Sequence, residues 1–223
     1  MTALVPDVRA ALRAAADPER ARGMQAYLKT TEPCLGVRLP DVRRIVAAAA
    51  LEHPPASAAE VRAAAQALWR EAAAREERYA AVALTGLPPA RGVLDLLPLY
   101  EEMITTGAWW DLVDSVAGRI RDLLLDHPTQ LRPVLLAWAR SPDRWLRRSA
   151  VIAQLGAKSR TDTALLAEVT EANAADPEFF VRKAIGWALR DLAKTDPDWV
   201  RGFLDTHELS PLSRREAAKH LRT

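Results

Sequence analysis

Trp145-Leu146-Arg147-Arg148-Ser149-Ala150-Val151 is followed thirty-five positions later by Phe180-Val181-Arg182-Lys183-Ala184-Ile185-Gly186, and Trp110 stands one such step before Trp145. An aromatic, an aliphatic, two cations and a run of small apolar residues recur in the same order. A step of this length holds two helices and a turn. Neither helix of such a pair can bury its apolar stripe alone, so successive pairs stack, and repeats of this period mark an α-solenoid. The expected fold is all-α, an array whose concave face is lined by the second helix of each pair, forming one domain over 1–223.

Away from that repeat the punctuation is helical throughout. Asp17-Pro18-Glu19, Ser141-Pro142-Asp143, Asp176-Pro177-Glu178 and Asp196-Pro197-Asp198 each read as an N-cap, a proline at the first helical position and an acid in the first turn. Ser57-Ala58-Ala59-Glu60 and Ser213-Arg214-Arg215-Glu216 have capping-box spacing. Helices are predicted over 7–16, 18–29, 40–52, 58–73, 75–86, 91–104, 108–125, 129–139, 143–154, 162–173, 177–193, 197–206 and 213–222, and no segment sustains strand alternation. Alanine dominates and glycine is scarce, which favours helix.

Composition narrows the function classes. With 223 residues, 49% of them apolar, a substantial core is possible. A net charge of +2 neither demands nor excludes a polyanionic partner, so the placement of the charges must decide. A single cysteine, Cys34, excludes an intrachain disulfide and fits a reducing cytoplasm. The four histidines are scattered without metal-ligand spacing, so neither a metal nor a cofactor is expected. Met1-Thr2-Ala3-Leu4-Val5-Pro6 leads at once into charged helix, which is not a signal peptide, and no uncharged run is long enough to cross a bilayer. The expected location is cytoplasmic.

The chemically distinctive stretch is Trp109-Trp110-Asp111-Leu112-Val113-Asp114. Residues four apart share a helix face, so Trp110 lies beside Asp114 and Asp111 beneath Ser115. An indole face and a carboxylate on one strip both attract positive charge and suit a developing cation. Trp109 forms an apolar stripe with Leu112, Val113 and Val116 and reads as core. Trp187 reads as core. Gly186 beside it points to the close approach of a backbone or ligand, because glycine weakens a helix by roughly 1 kcal/mol against alanine. Arg148 reads as a surface ion pair with Asp114 or Asp111, which would lower that acid's pKa.

The cations fall in blocks: Arg144, Arg147 and Arg148; then Arg182, Lys183, Arg190 and Lys194; then Arg214, Arg215, Lys219 and Arg222. Interleaved with Trp110, Trp145, Phe180 and Trp187, they form the aromatic-and-basic pattern of a nucleic-acid groove. A solvated face with salt bridges is the competing reading.

Three regions together resemble a known family: Met24-Gln25-Ala26-Tyr27-Leu28-Lys29 with Cys34-Leu35-Gly36-Val37-Arg38-Leu39-Pro40 and Arg43; the Trp109–Asp114 stretch; and Trp145-Leu146-Arg147-Arg148 through Ile185-Gly186-Trp187 to Pro211-Leu212-Ser213-Arg214-Arg215-Glu216-Ala217. In this order they resemble the bacterial DNA alkylation repair family, the HEAT-like-repeat DNA glycosylases of the AlkD type. The resemblance implies helical repeats cradling double-stranded DNA and excision of purines methylated at N3 or N7. It implies that Asp114 is the catalytic carboxylate, that Trp110 and Trp187 are aromatic walls, and that Arg148 is the phosphate-side arginine of the site. Tyr27, Lys158 and Arg190 match backbone-contacting positions, and Lys29, Trp109, Arg147, Lys183, Arg214 and Arg215 complete the expected DNA-binding set. The sequence departs from the family at Cys34, where an aromatic is common, and in its alanine content.

A purine alkylated at N3 or N7 is already cationic and departs neutral, so one carboxylate can suffice where sugar hydrolases generally use two. No lysine falls on the Trp110–Asp114 stripe, which predicts a monofunctional glycosylase of base excision repair. It is expected to act as a monomer in the nucleoid-associated cytoplasm, without metal or membrane. A non-catalytic DNA-binding solenoid and a protein–protein scaffold are the competing functions.

Overall fold

The structure, a computed structural model, describes residues 3–221. Arg222 and the first two residues of the amino-terminal segment discussed above lie outside the described residues. Thirteen α-helices follow one another, and no strand occurs among the described residues. The chain divides into two compact units, Met1–Leu99 and Tyr100–Thr223, with the division inside the sixth helix.

The first unit contains α1 (Leu4–Ala14), α2 (Pro18–Leu28), α3 (Leu39–Glu52), α4 (Ala58–Arg70) and α5 (Arg75–Leu84). Helix α1 packs on α3, α4 and α5, and both α3 and α4 pack on α5. Leu4, Val8 and Leu12 recur at helical spacing on α1 and meet Val42, Val46, Val61, Leu68 and Leu84 in the core. Asp17 caps α2 by accepting from the Arg20 amide at 2.9 Å, with Pro18 at the first helical position. Ser57 caps α4, and Glu60 reaches back to the Ala56 amide at 3.0 Å, one residue before the cap.

The second unit is the repeat array. After α6 (Leu97–Gly107) come α7 (Trp110–Asp126), α8 (Pro128–Trp138), α9 (Arg144–Ile152), α10 (Thr163–Glu171), α11 (Phe179–Leu192), α12 (Pro197–Thr206) and α13 (Pro211–Ala217). Helices α7, α9, α11 and α13 neighbour one another in series; α8 packs on α7 and α9, α10 on α8 and α9, and α12 on α11. This is the stacking of helix pairs that the thirty-five-residue step predicts.

Several boundaries differ from the sequence reading. The sixth helix begins at Leu97, not 91, after a single 3-10 turn at Leu94–Leu96. Pro98 lacks an amide hydrogen and is most easily accommodated in a first turn, where that hydrogen has no partner within the helix. Of the four caps followed by proline, Asp17 and Asp196 act as predicted, but α9 and α11 start two residues late. There Ser141 and Asp176 accept from the amides of Asp143 and Glu178, at 3.1 and 2.8 Å, and hold the chain in a turn instead. The Ser213–Glu216 capping box does not form. Ser210 is the cap, Pro211 opens the helix, and Ser213 lies inside it.

Candidate active site

Ala108, at φ +40°, turns the chain into an extended Trp109 that serves as N-cap of α7. The helix then runs on a fully buried stripe of Leu112, Val113 and Val116. That stripe fixes the rotation of α7 and leaves Trp110, Asp111 and Asp114 half-buried at its edge. Ser115 donates its hydroxyl to the Asp111 carbonyl at 2.7 Å, as their four-residue spacing allows. Trp109 is half-buried in an aromatic cluster, its ring edge-on to Trp145 at 6.1 Å and to Phe180 at 5.5 Å. Trp145 and Phe180 close the triangle at 5.1 Å. Trp109, the N-cap residue of α7, thus joins the repeat's aromatic positions.

Arg148 on α9 ties three helices together. It donates through Nε and Nη2 to the two oxygens of Asp114, both at 2.8 Å, and through Nη1 to the Phe180 carbonyl at 2.5 Å. The arginine is buried, with 4% of its surface exposed, so this is an interior pair and not the surface pair that sequence suggests. A fork-on-carboxylate geometry holds both partners in one plane. Burial pushes the Asp114 carboxyl above its ordinary range; the hydrogen bond and charge of Arg148 pull back, and the neighbouring Asp111 pushes it up further. The sequence-based expectation of a lowered pKa is overturned in net sign, because the desolvation that accompanies the pairing outweighs the pairing itself.

Trp187 lies half-buried on α11, two turns from Phe180 and on the same side of the helix. Gly186 is explained by backbone. A Cβ there would stand 2.4 Å from Cβ of Glu216 and 2.8 Å from the Ser213 carbonyl oxygen, both on α13.

The expected DNA-contacting residues divide by their partners. Lys158 is exposed in left-handed backbone, φ +56°. Lys183 and Arg215 are exposed, with Lys183 lying 5.8 Å from the ring centroid of Phe179, a 49% exposed aromatic that sequence reasoning did not single out. Arg147 bonds Asp176 at 2.7 Å and the carbonyls of Ser141 and Pro142, which fastens the turn before α9. Arg190 pairs with Glu216, and Arg214 donates to the carbonyls of Leu204 and His207. In the first unit, Tyr27 is 72% exposed at the end of α2, and Lys29 caps that helix in left-handed backbone at φ +52°.

Sequence spacing showed no metal-ligand cluster. The fold nevertheless brings Asp7, Glu52 and His53 of the first unit together, their ligand atoms within 4.8 Å of one another. The 2.7 Å contact of His53 Nε2 with Asp7 accounts for the arrangement as an ordinary polar pair. Among the described residues no helix is long and apolar enough to cross a membrane.

The family model for DNA alkylation repair enzymes matches residues 8–221. The chain belongs to that family. A solved structure described as a predicted DNA alkylation repair enzyme from Enterococcus faecalis is similar to it, with 30% identity and a TM-score of 0.81 over 93% of this chain and 97% of that one. No curated protein matches the chain. Family membership places it among enzymes of DNA alkylation repair, and one family model spans both compact units.

Proposed function

We propose that the protein is a monofunctional DNA glycosylase that hydrolyses the N-glycosidic bond of purines made cationic by alkylation at N3 or N7. The observation that carries this reading is Asp114: a carboxylate withdrawn from water, held by both oxygens on one buried arginine, and one helical turn from the half-buried Trp110.

A cationic purine needs no proton to leave. As its bond to C1′ breaks, the base departs neutral and positive charge develops on the deoxyribose ring. A fixed carboxylate in a site of lowered polarity stabilises that charge and orients the water that attacks C1′. Arg148 keeps the carboxylate from turning and satisfies it in the resting state. The indoles of Trp110 and Trp187 add cation–π attraction of about 0.5–2 kcal/mol each. A neutral purine gains nothing from these groups, which makes the selectivity a property of charge. A non-catalytic DNA binder has no use for a half-buried carboxylate set against a polyanion.

No lysine falls on the Trp110–Asp114 stripe of α7, which is the basis for proposing simple hydrolysis without a Schiff base. Tyr27 and Lys29 in one unit and Lys158, Lys183 and Arg215 in the other are the exposed residues proposed to meet backbone phosphates. The deciding experiment incubates the protein with methylated duplex DNA and identifies released bases by chromatography. Release of 3-methyladenine or 7-methylguanine above background is expected, with no adduct trapped by borohydride. Absence of release rejects the glycosylase, and a trapped adduct rejects the monofunctional mechanism.

A further inference from the structure

Helix α13 grips α11 along a single line. The Ser213 hydroxyl donates to the Arg182 carbonyl at 2.8 Å. The space above Gly186 is filled by Glu216 Cβ and the Ser213 carbonyl. Arg190 donates through Nη1 to Glu216 at 2.5 Å. Positions 182, 186 and 190 are four apart and therefore form one stripe of α11. Trp187 follows Gly186 directly, so the direction in which its ring leaves the helix depends on how α11 is turned about its own axis. The stripe sets that turn.

Glu216 is suited to holding the contact. It is 8% exposed, and its second oxygen accepts from Lys219 at 2.7 Å. Lys219 first, then Arg190, hold its carboxyl below the usual carboxylate range, so it stays charged. For Arg190 to reach a phosphate, it would have to leave a mostly buried carboxylate, which would then keep only one of its two cationic partners, Lys219, at a cost in free energy.

We propose that Glu216 is a positioning residue for Trp187, acting through Arg190, and that Arg190 anchors this contact instead of binding a phosphate. The inference rests on the glycosylase reading for its catalytic consequence, but the contact itself is read out separately.

The test compares wild type with Glu216→Gln, Arg190→Gln and Arg190→Lys, each confirmed folded by circular dichroism. Binding is measured on undamaged duplex across a salt series, and base release on methylated duplex under single-turnover conditions. The ring of Trp187 is followed by fluorine NMR of 5-fluorotryptophan protein, its resonance assigned with Trp187→Phe. Glu216→Gln and Arg190→Gln are expected to shift the Trp187 resonance and slow base release about tenfold, a modest misplacement effect. Affinity and salt slope should stay at wild-type values. Arg190→Lys, which keeps a cation opposite Glu216, should restore both resonance and rate. If Arg190→Gln leaves the resonance in place and lowers the salt slope by about one counterion, Arg190 is a phosphate contact and the proposal is overturned. Should Arg190→Gln unfold, an unmoved Trp187 resonance in the near-isosteric Glu216→Gln overturns it alone. If wild type releases no base while the resonance still shifts, the glycosylase reading fails and the positioning contact stands.

Discussion

Glu76 in the first unit and Asp114 in the second are both carboxylates taken out of water, and the two are satisfied differently. Glu76, with no exposed surface, accepts from three consecutive amides, those of Leu35, Gly36 and Val37, at 2.9, 2.8 and 3.2 Å. Its neighbour Glu77, 1% exposed, is held by Arg9 at 3.0 Å. Asp114 gives both oxygens to one guanidinium and keeps 15% of its side chain exposed. Backbone amides are rigid and saturating, so an acid enclosed by them fastens a loop and can accept little else. An acid held by one cation and left partly open can still respond to a second positive charge. The first arrangement is structural, and the second is suited to chemistry.

Exchanging the charge at each position breaks the comparison most directly. Asp114→Asn should lower the rate of base release by about 10²-fold or more, the scale of losing a preorganised electrostatic group. Single-turnover assays on methylated duplex check this, and an unchanged rate would remove Asp114 from the site. Glu76→Ala leaves three amides without their acceptor and should destabilise the fold by about 3 kcal/mol, read as a lower midpoint in urea. A midpoint within error of wild type would mean that water replaces the carboxylate freely.

Smaller effects sharpen the contrast. Trp110→Ala and Trp187→Ala should each slow base release by roughly 3- to 30-fold, the equivalent of one cation–π contact, with Asp114 still present. The effect of pH has a definite sign. The folded pKa of Asp114 is raised, and only its ionised form stabilises a cationic sugar, so activity is lost as pH falls through a midpoint above the ordinary 3.8. For stability the same shift acts in reverse: ionised Asp114 opposes folding, and acidification through the folded pKa relieves that cost. Asp17 and Glu216, whose pKa values are lowered, contribute stability above their unfolded pKa values that disappears as pH falls through the folded ones. A pH–rate profile set beside a pH–stability profile separates the two behaviours.

Much of the fold was legible because its signals are local. Thirteen helices in order and the caps at Asp17, Ser57 and Asp196 follow from residues within one or two turns of each other, and the paired repeat shows as one local pattern recurring at a thirty-five-residue step. The misplaced starts of α9, α11 and α13 are competitions between neighbouring signals, where proline or a side-chain turn wins by a residue or two, whereas α6 starts six residues late, after a 3-10 turn. The site was legible only in part. Asp114 and Trp110 share a helix, so their adjacency follows from spacing. The burial that raises the Asp114 pKa, the reach of Arg148 to the Phe180 carbonyl and the capture of Arg190 by Glu216 come from helices 26 to 34 residues apart, and no local pattern encodes them. Gly186 was readable as a place of close approach, but not that the approaching body is α13.

Gly36 shows where tolerance to change ends in this protein. It sits at φ +81°, with the Asp17 carbonyl 2.2 Å and the Ala21 amide 2.7 Å from where a Cβ would be. Its own amide is one of the three that hold Glu76. Any library of variants screened under alkylating stress will treat this position as fixed, although it offers no functional group. Screens that rank importance by intolerance will therefore place a bare backbone turn beside the proposed catalytic acid, and only a stability measurement will tell the two apart.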